Sequence, residues 1–469
     1  MVPAPTPVRP RLPAPLEAGT TGEDLTRGSL ARHIRRIAVP ASIGYFFNTM
    51  YNAVDTYFAG ILSTEALAAL SISFPVFFIL IAMGTGLGTG STALIANALG
   101  EGDREKAMAY TAQSLTFALL TGFFLTLTGL IASPFLFRAL GAEGSYLDTA
   151  LRYMDVIIYG SVFFMIAYVV NSSLNAQGDT ASFRNFLIAG FFLNILLDPW
   201  FMFGGFGVPP LGIAGVAWAT VVIQMGGCVY LFYRAIRSGL LCRQCLAMLS
   251  PQFGYFADIF RQGFPASLNM MTVAIGAFVI TYYVSAFGKE AVAAYGTALR
   301  IEQIALLPVI GLNMATLALV GQNNGAGLMD RVRETLATSL KYGLLVMAVG
   351  ALMVFIAADP MMRLFTADGA VIRSGVTYLR IAAFISWAYI ILYTSVSALQ
   401  GMKRPFFAVY IGLARQVIVP VAVFSLMQYL GVGLLGIWWG IFGITWAAAL
   451  VALFYTGRVV NARWSVPVR

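Results

Sequence analysis

The chain has 469 residues, of which 59% are hydrophobic and only 10% charged. Soluble domains carry about 25% charged residues, so this is a membrane protein and not a soluble domain. The formal charge of +9 does not mark a nucleic-acid partner, because the Lys and Arg residues cluster at the ends of apolar segments.

The first 30 or so residues are rich in Pro, Ala and Gly and contain no apolar run. They read as a disordered cytoplasmic tail and not as a signal peptide. Twelve apolar runs come after it, at roughly 37–61, 67–98, 107–132, 149–174, 185–204, 212–236, 262–287, 292–320, 336–358, 375–399, 407–429 and 434–457. Each stays apolar for ~20 residues without alternating, which predicts spanning helices and not barrel strands. The expected division is a tail over 1–30, an N-lobe over 31–237, a basic cytoplasmic linker over 238–261, a C-lobe over 262–458 and a second cytoplasmic tail over 459–469. Of the 29 Lys and Arg residues, about 21 fall in the tails and in the loops after even-numbered spans. The positive-inside rule therefore places both termini in the cytoplasm.

The two halves repeat at a spacing of about 222–227 residues. Pro40-Ala41-Ser42 returns as Pro265-Ala266-Ser267, Glu65-Ala66-Leu67 as Glu290-Ala291-Val292, and Gln177-Gly178 as Gln400-Gly401. Six spans is an even number, so both halves start from the same side of the membrane. The expected fold is an all-α membrane protein with twelve transmembrane helices in two six-helix lobes. A pseudo-two-fold axis along the membrane normal relates them, with the substrate site between. The register sets Asp55 against Ile280, Asp198-Pro199 against Val419-Pro420, and Asn194 against Arg415. The scaffold is copied, but the acidic chemistry is not.

A carboxylate inside a spanning helix is costly, so Asp55 in the first span and Asp198 in the fifth are candidate functional residues. At ~1.5 Å per residue, Asp55 lies about 27 Å from the cytoplasmic start of its helix and Asp198 about 20 Å from that of its own. Asn194 is four residues before Asp198 and shares its face, as Tyr51 does with Asp55. Pro199 removes a backbone donor and frees the carbonyl of Ile195. Together these make an oxygen-rich pocket for a proton or a small hard cation, sodium among them. The competing reading is a pair of structural acids held by hydroxyls and backbone amides.

The second half has charges of its own. Glu302 in the eighth span and Arg415 in the eleventh fall at similar depth near the midplane. They are either a buried ion pair that orders the C-lobe, or Glu302 contacts a cationic substrate. The glycines at 84, 86, 88 and 90 serve helix packing or bending, since no Lys stands near to make a phosphate loop. His33, the one histidine, sits beside the membrane and is expected among lipid headgroups. Cys242-x-x-Cys245 lacks a second pair and a nearby His, so these thiols and Cys228 are incidental.

Tyr51-Asn52-Ala53-Val54-Asp55-Thr56, the Gly100–Lys106 loop, the Leu174–Thr180 turn and Asn194-Ile195-Leu196-Leu197-Asp198-Pro199 resemble the multidrug and toxic compound extrusion (MATE) family. The resemblance runs over about 30–460. Acids in the first and fifth spans and none in the seventh make the chain most similar to the DinF-like branch. The resemblance implies a V-shaped, monomeric antiporter of a prokaryotic plasma (inner) membrane. It would export amphipathic or cationic organic compounds in exchange for protons or sodium, with no bound cofactor. Asp55, Asp198, Asn194 and Tyr51 match its coupling-ion cluster, Thr220 of the sixth span joins them, and Asn48 and Asn171 match the cavity wall.

A lipid-linked oligosaccharide flippase is the alternative transport class. Its cavity would need several Arg and Lys to grip pyrophosphate, whereas the interior of this first lobe is acidic. No His-Glu motif, His pair or Ser-Lys constellation lies within the spans, so an enzyme is not expected, and no nucleotide-binding motif suggests ATP as the energy source.

Overall fold

A computed structural model describes residues 24–464. The first half folds into α1 (Leu30–Leu62), α2 (Thr64–Gly100), α3 (Arg104–Ala139), α4 (Gly144–Tyr159), α5 (Ser161–Ala176), α6 (Ala181–Phe203) and α7 (Ile213–Arg237). The second comprises α8 (Phe253–Ser285), α9 (Lys289–Ala305), α10 (Leu307–Gly325), α11 (Met329–Arg363), α12 (Gly369–Gly401), α13 (Phe406–Leu413), a π-helical turn (Ala414–Ile418), α14 (Val419–Tyr429) and α15 (Leu434–Trp464). Among the described residues nine helical runs are long and apolar enough to cross a membrane, with α13 to α14 counted as one. Two bent pairs add two more spans, α4 with α5 at 43° and α9 with α10 at 45°. The twelfth is α1, which at 33 residues is long enough but is diluted by Asn48, Asn52 and Asp55.

Most helices overrun the apolar runs that predict them. A run of hydropathy marks only the ~30 Å of hydrocarbon, while backbone hydrogen bonding continues into water-facing turns. The linker is accordingly shorter than 238–261. A 3-10 helix occupies Arg243–Leu249 and α8 already starts at Phe253. Its path is fixed to α3, where Gln113 donates to the Ser250 carbonyl at 2.7 Å and accepts from the Gln252 N–H at 3.0 Å.

The expected disordered tail is also too long. Residues 1–23 lie outside the described residues, but Leu25 is fully buried and clusters with Ile34, Ile37, Val309 and Leu312. Its N–H donates to Gln322 Oε1 at 3.0 Å, and Arg331 donates to the Gly28 carbonyl at 3.3 Å. His33 is not among headgroups. It is buried, with Nε2 2.7 Å from the Arg27 carbonyl, and so closes this small structure on itself. Leu25→Ala should remove about 2–5 kcal/mol of packing. The expected result is faster hydrogen–deuterium exchange over 24–34 with the remaining helices unchanged. At the other end, the tail expected over 459–469 is helical to Trp464, and 465–469 lie outside the described residues.

Glycines bring the halves together in reciprocal pairs. A Cβ on Gly86 of α2 would stand 2.0 Å from Ser267 Oγ of α8, and one on Gly311 of α10 would stand 2.2 Å from Ser42 Oγ of α1. Likewise Gly100 abuts the Gln322 carbonyl and Gly325 the Asn97 carbonyl, at 1.9 and 2.0 Å from the same hypothetical atoms. Adding 225 to the first member of each pair gives the second, as a two-fold axis along the bundle requires. Polar bonds tie the same layer. Asn97 Nδ2 donates to the Gly401 carbonyl at 2.8 Å, and Gln322 Nε2 donates to that of Ala176 at 2.7 Å.

This layer lies on the face that carries both termini, because Val459 and Val460 near the end of α15 pack on Val332 beside Arg331. Toward the opposite face the cores separate. One apolar cluster, around Leu147, Met154 and Met202, draws only on the first half, and another, around Ile301, Tyr378 and Trp438, only on the second. The lobes are therefore joined at the termini face and independent at the far face.

Candidate functional site

In the far half of the N-lobe, α1 and α6 run side by side and set Asp55 and Asp198 together. Asp198 is fully buried and Asp55 6% exposed. Asn194, one turn before Asp198, holds both. Its Nδ2 donates to Asp198 Oδ1 at 2.8 Å and to Asp55 Oδ1 at 2.9 Å. One amide group thus spends its two hydrogens on two carboxyls, which also lie within hydrogen-bonding reach of each other. Asn194 Oδ1 and Asp198 Oδ2 are buried with no hydrogen-bond partner. Two ionised carboxylates this close in low dielectric repel strongly. A proton, or a cation on the bare oxygens, relieves that repulsion.

Tyr51 is the bridge to the sixth span, its hydroxyl donating to Thr220 Oγ1 of α7 at 3.1 Å. Tyr153 of α4, buried in the same lobe, is near enough to both carboxyls to interact with them electrostatically. The sequence carries no sign of this, since Tyr153 stands on a stripe with Ala150, Met154 and Ile157 that reads as ordinary core. Asn171 is buried, with its Oδ1 unpartnered, and Asn48 is half-buried. No hydrogen bond among the described residues joins either to the acid pair.

The MatE family profile matches residues 40–200 and again residues 265–424, more than half of the chain. The chain belongs to the MatE family. It is therefore a membrane transporter and not an enzyme, and the two matches fall one in each half. This MatE chain is 28% identical over 444 residues to the probable multidrug resistance protein NorM of Thermotoga maritima, covering 93% of each. It is 27% identical over 408 residues to a FAD transporter of Shewanella oneidensis, covering 87% of this chain and 90% of the other. A solved outward-facing multidrug resistance MATE transporter superposes with a TM-score of 0.88 at 26% identity, covering 96% of this chain and 100% of that one. The match to that family also displaces the flippase reading.

The C-lobe of this MatE protein departs from its expected plan in two ways. Glu302 and Arg415 do not form a direct ion pair. Tyr389 and Tyr393 line the same cavity, with the Arg415 guanidinium 5.4 Å from the Tyr389 ring centre. Tyr378 donates to Glu302 Oε2 at 2.7 Å. Second, Ile280 is buried where Asp55 is buried, but Val419 is 38% exposed while Asp198 is fully buried. The π turn over 414–418 takes in an extra residue and rotates the helix beyond it. Pro420, not Val419, therefore lines the interior. Among the described residues no cluster of three or more His, Cys, Asp or Glu residues could hold a metal ion, and no disulfide joins the three cysteines.

Proposed function

We propose that this MATE multidrug efflux transporter is a monomeric antiporter of the DinF-like branch, driven by protons that bind the Asp55–Asp198 pair. It would sit in a prokaryotic plasma membrane with both termini cytoplasmic and export amphipathic, often cationic compounds. The observation that carries the proton reading is the single Asn194 amide bonded to both carboxyls. That arrangement accommodates a shared proton without rearrangement. A sodium ion is the second reading, favoured by the bare oxygens of Asn194 and Asp198; hard cations of this kind take several oxygen ligands.

In the working cycle, the acid pair takes up a proton while the cleft faces outward. Neutralisation removes the repulsion between the two carboxyls, and bending near Pro199 would let the N-lobe pocket collapse and push substrate out. Protonation can bias the lobe only if its two conformations differ in proton affinity. Tyr51 and Thr220 couple that movement to α7. Asn48 and Asn171 would meet substrate on the N-lobe wall, and Glu302 would do so from the other lobe.

The test is export of a fluorescent cation from proteoliposomes under separately imposed gradients. An inward-directed proton gradient at zero sodium should drive it, and a sodium gradient at fixed pH should not. Drive by sodium alone would transfer the site to the second reading.

A further inference from the structure

The C-lobe interior holds a cavity of about 150 Å³ that the proton route does not use. Glu302 and Arg415 both line it, together with Tyr295, Tyr378, Tyr389 and Tyr393. Buried opposite charges normally compensate each other by direct contact, because each stranded charge costs several kcal/mol. Here the two share one cavity without a direct ion pair between them. Glu302 is 5% exposed. One of its oxygens takes the Tyr378 hydroxyl, and the other, Oε1, has no hydrogen-bond partner. A guanidinium has five N–H donors and no acceptor, and Arg415 presents one at the wall of this cavity. The π turn at Ala414–Ile418 brings Arg415 and Gln416 both to the cavity wall, and such turns recur at functional sites.

We propose that this cavity is a second ligand site, selective for a zwitterionic group about one aromatic ring in size. An ammonium or amidinium would bond Glu302 Oε1, a carboxylate would bond the Arg415 fork, and the ring would lie against Tyr389 and Tyr393. Those two tyrosine rings are parallel, 5.5 Å apart at 8°, and both line the cavity, so an aromatic group can pack against their edges. About 150 Å³ accepts a benzene-sized group, whereas a drug-sized ligand needs about 300–1,000 Å³. The cavity therefore grips one end of a substrate whose remainder stays in the cleft. The proposal rests on the reading of the chain as an exporter but not on its coupling ion.

The test is calorimetric binding of para-aminomethylbenzoate, benzylamine and benzoate to the purified full-length protein. The zwitterion should bind at least about tenfold more tightly than either singly charged analogue, as expected of a charge-assisted hydrogen bond. Glu302→Gln should lower it to the affinity of benzoate, and Arg415→Gln to that of benzylamine. Equal affinities for the three compounds on the wild type, or no binding, overturn the proposal even if a variant fails to fold. An unchanged preference in folded Glu302→Gln also overturns it. Asp198→Asn separates the two sites. It should keep zwitterion binding and lose gradient-driven export; retained export would count against the proton site alone.

Discussion

Asp55→Asn and Asp198→Asn are each expected to abolish gradient-driven efflux while leaving the protein folded. Asparagine keeps the shape of the carboxyl and an oxygen that can accept from Asn194, so the bonds at 2.8 and 2.9 Å have a replacement. The expected stability change is within about 1 kcal/mol, the net worth of one ordinary hydrogen bond. What the variants lose is the alternation between charged and neutral states, since an amide resembles a permanently protonated acid. Export against a gradient should fall to the level of empty proteoliposomes, with the melting temperature within a few degrees of wild type. Asn194→Leu should behave differently. It leaves two buried acids without their donor and should lower stability by about 1–3 kcal/mol for each unsatisfied group. If both Asn variants still pump, the pair is structural and the proposed coupling is wrong.

The second large effect concerns the glycines that join the lobes. Gly325→Ala places a methyl 2.0 Å from the Asn97 carbonyl oxygen, and Gly86→Ala places one 2.4 Å from the Ser267 backbone nitrogen. Backbone atoms cannot turn aside, so the helices must separate. Overpacking of this kind costs about 1–3 kcal/mol, which corresponds to a population shift of roughly 5- to 150-fold away from the joined arrangement. Spin labels on the α2 and α10 ends at the termini face should report longer distances, and transport should drop in proportion. Gly443 has nothing within 4 Å of a hypothetical Cβ, so Gly443→Ala is the control and should change neither readout. Unaltered distances in Gly325→Ala would show that the joined layer is not the gate.

The repeat, the spans and the acid pair were legible because each depends on a local or a pairwise property of the chain. Asn194 and Asp198 share a face by their four-residue spacing alone. Asp55 meets the same amide once the first and fifth spans are neighbours, and the oxygen-rich cluster then assembles as the residue types imply. The C-lobe was less legible. Glu302 and Arg415 line one cavity, but position along a helix says nothing about azimuth, and they do not pair directly.

The sequence by itself determined the number of spans, their division into two copied halves and which half carries the paired aspartates. Apolar length and the cost of an intramembrane charge are properties of the chain that survive any packing. Only the tertiary structure decided which side chains meet. Helices that are apolar nearly all round carry no clear facing signal, so a π turn that exposes Val419 and turns Pro420 inward leaves no trace in hydropathy. The same holds for Tyr153, which interacts with both acids, and for Leu25 and Thr26, buried in a stretch whose composition reads as disordered. Its order comes from partners about 300 positions away in the chain, which no local pattern records.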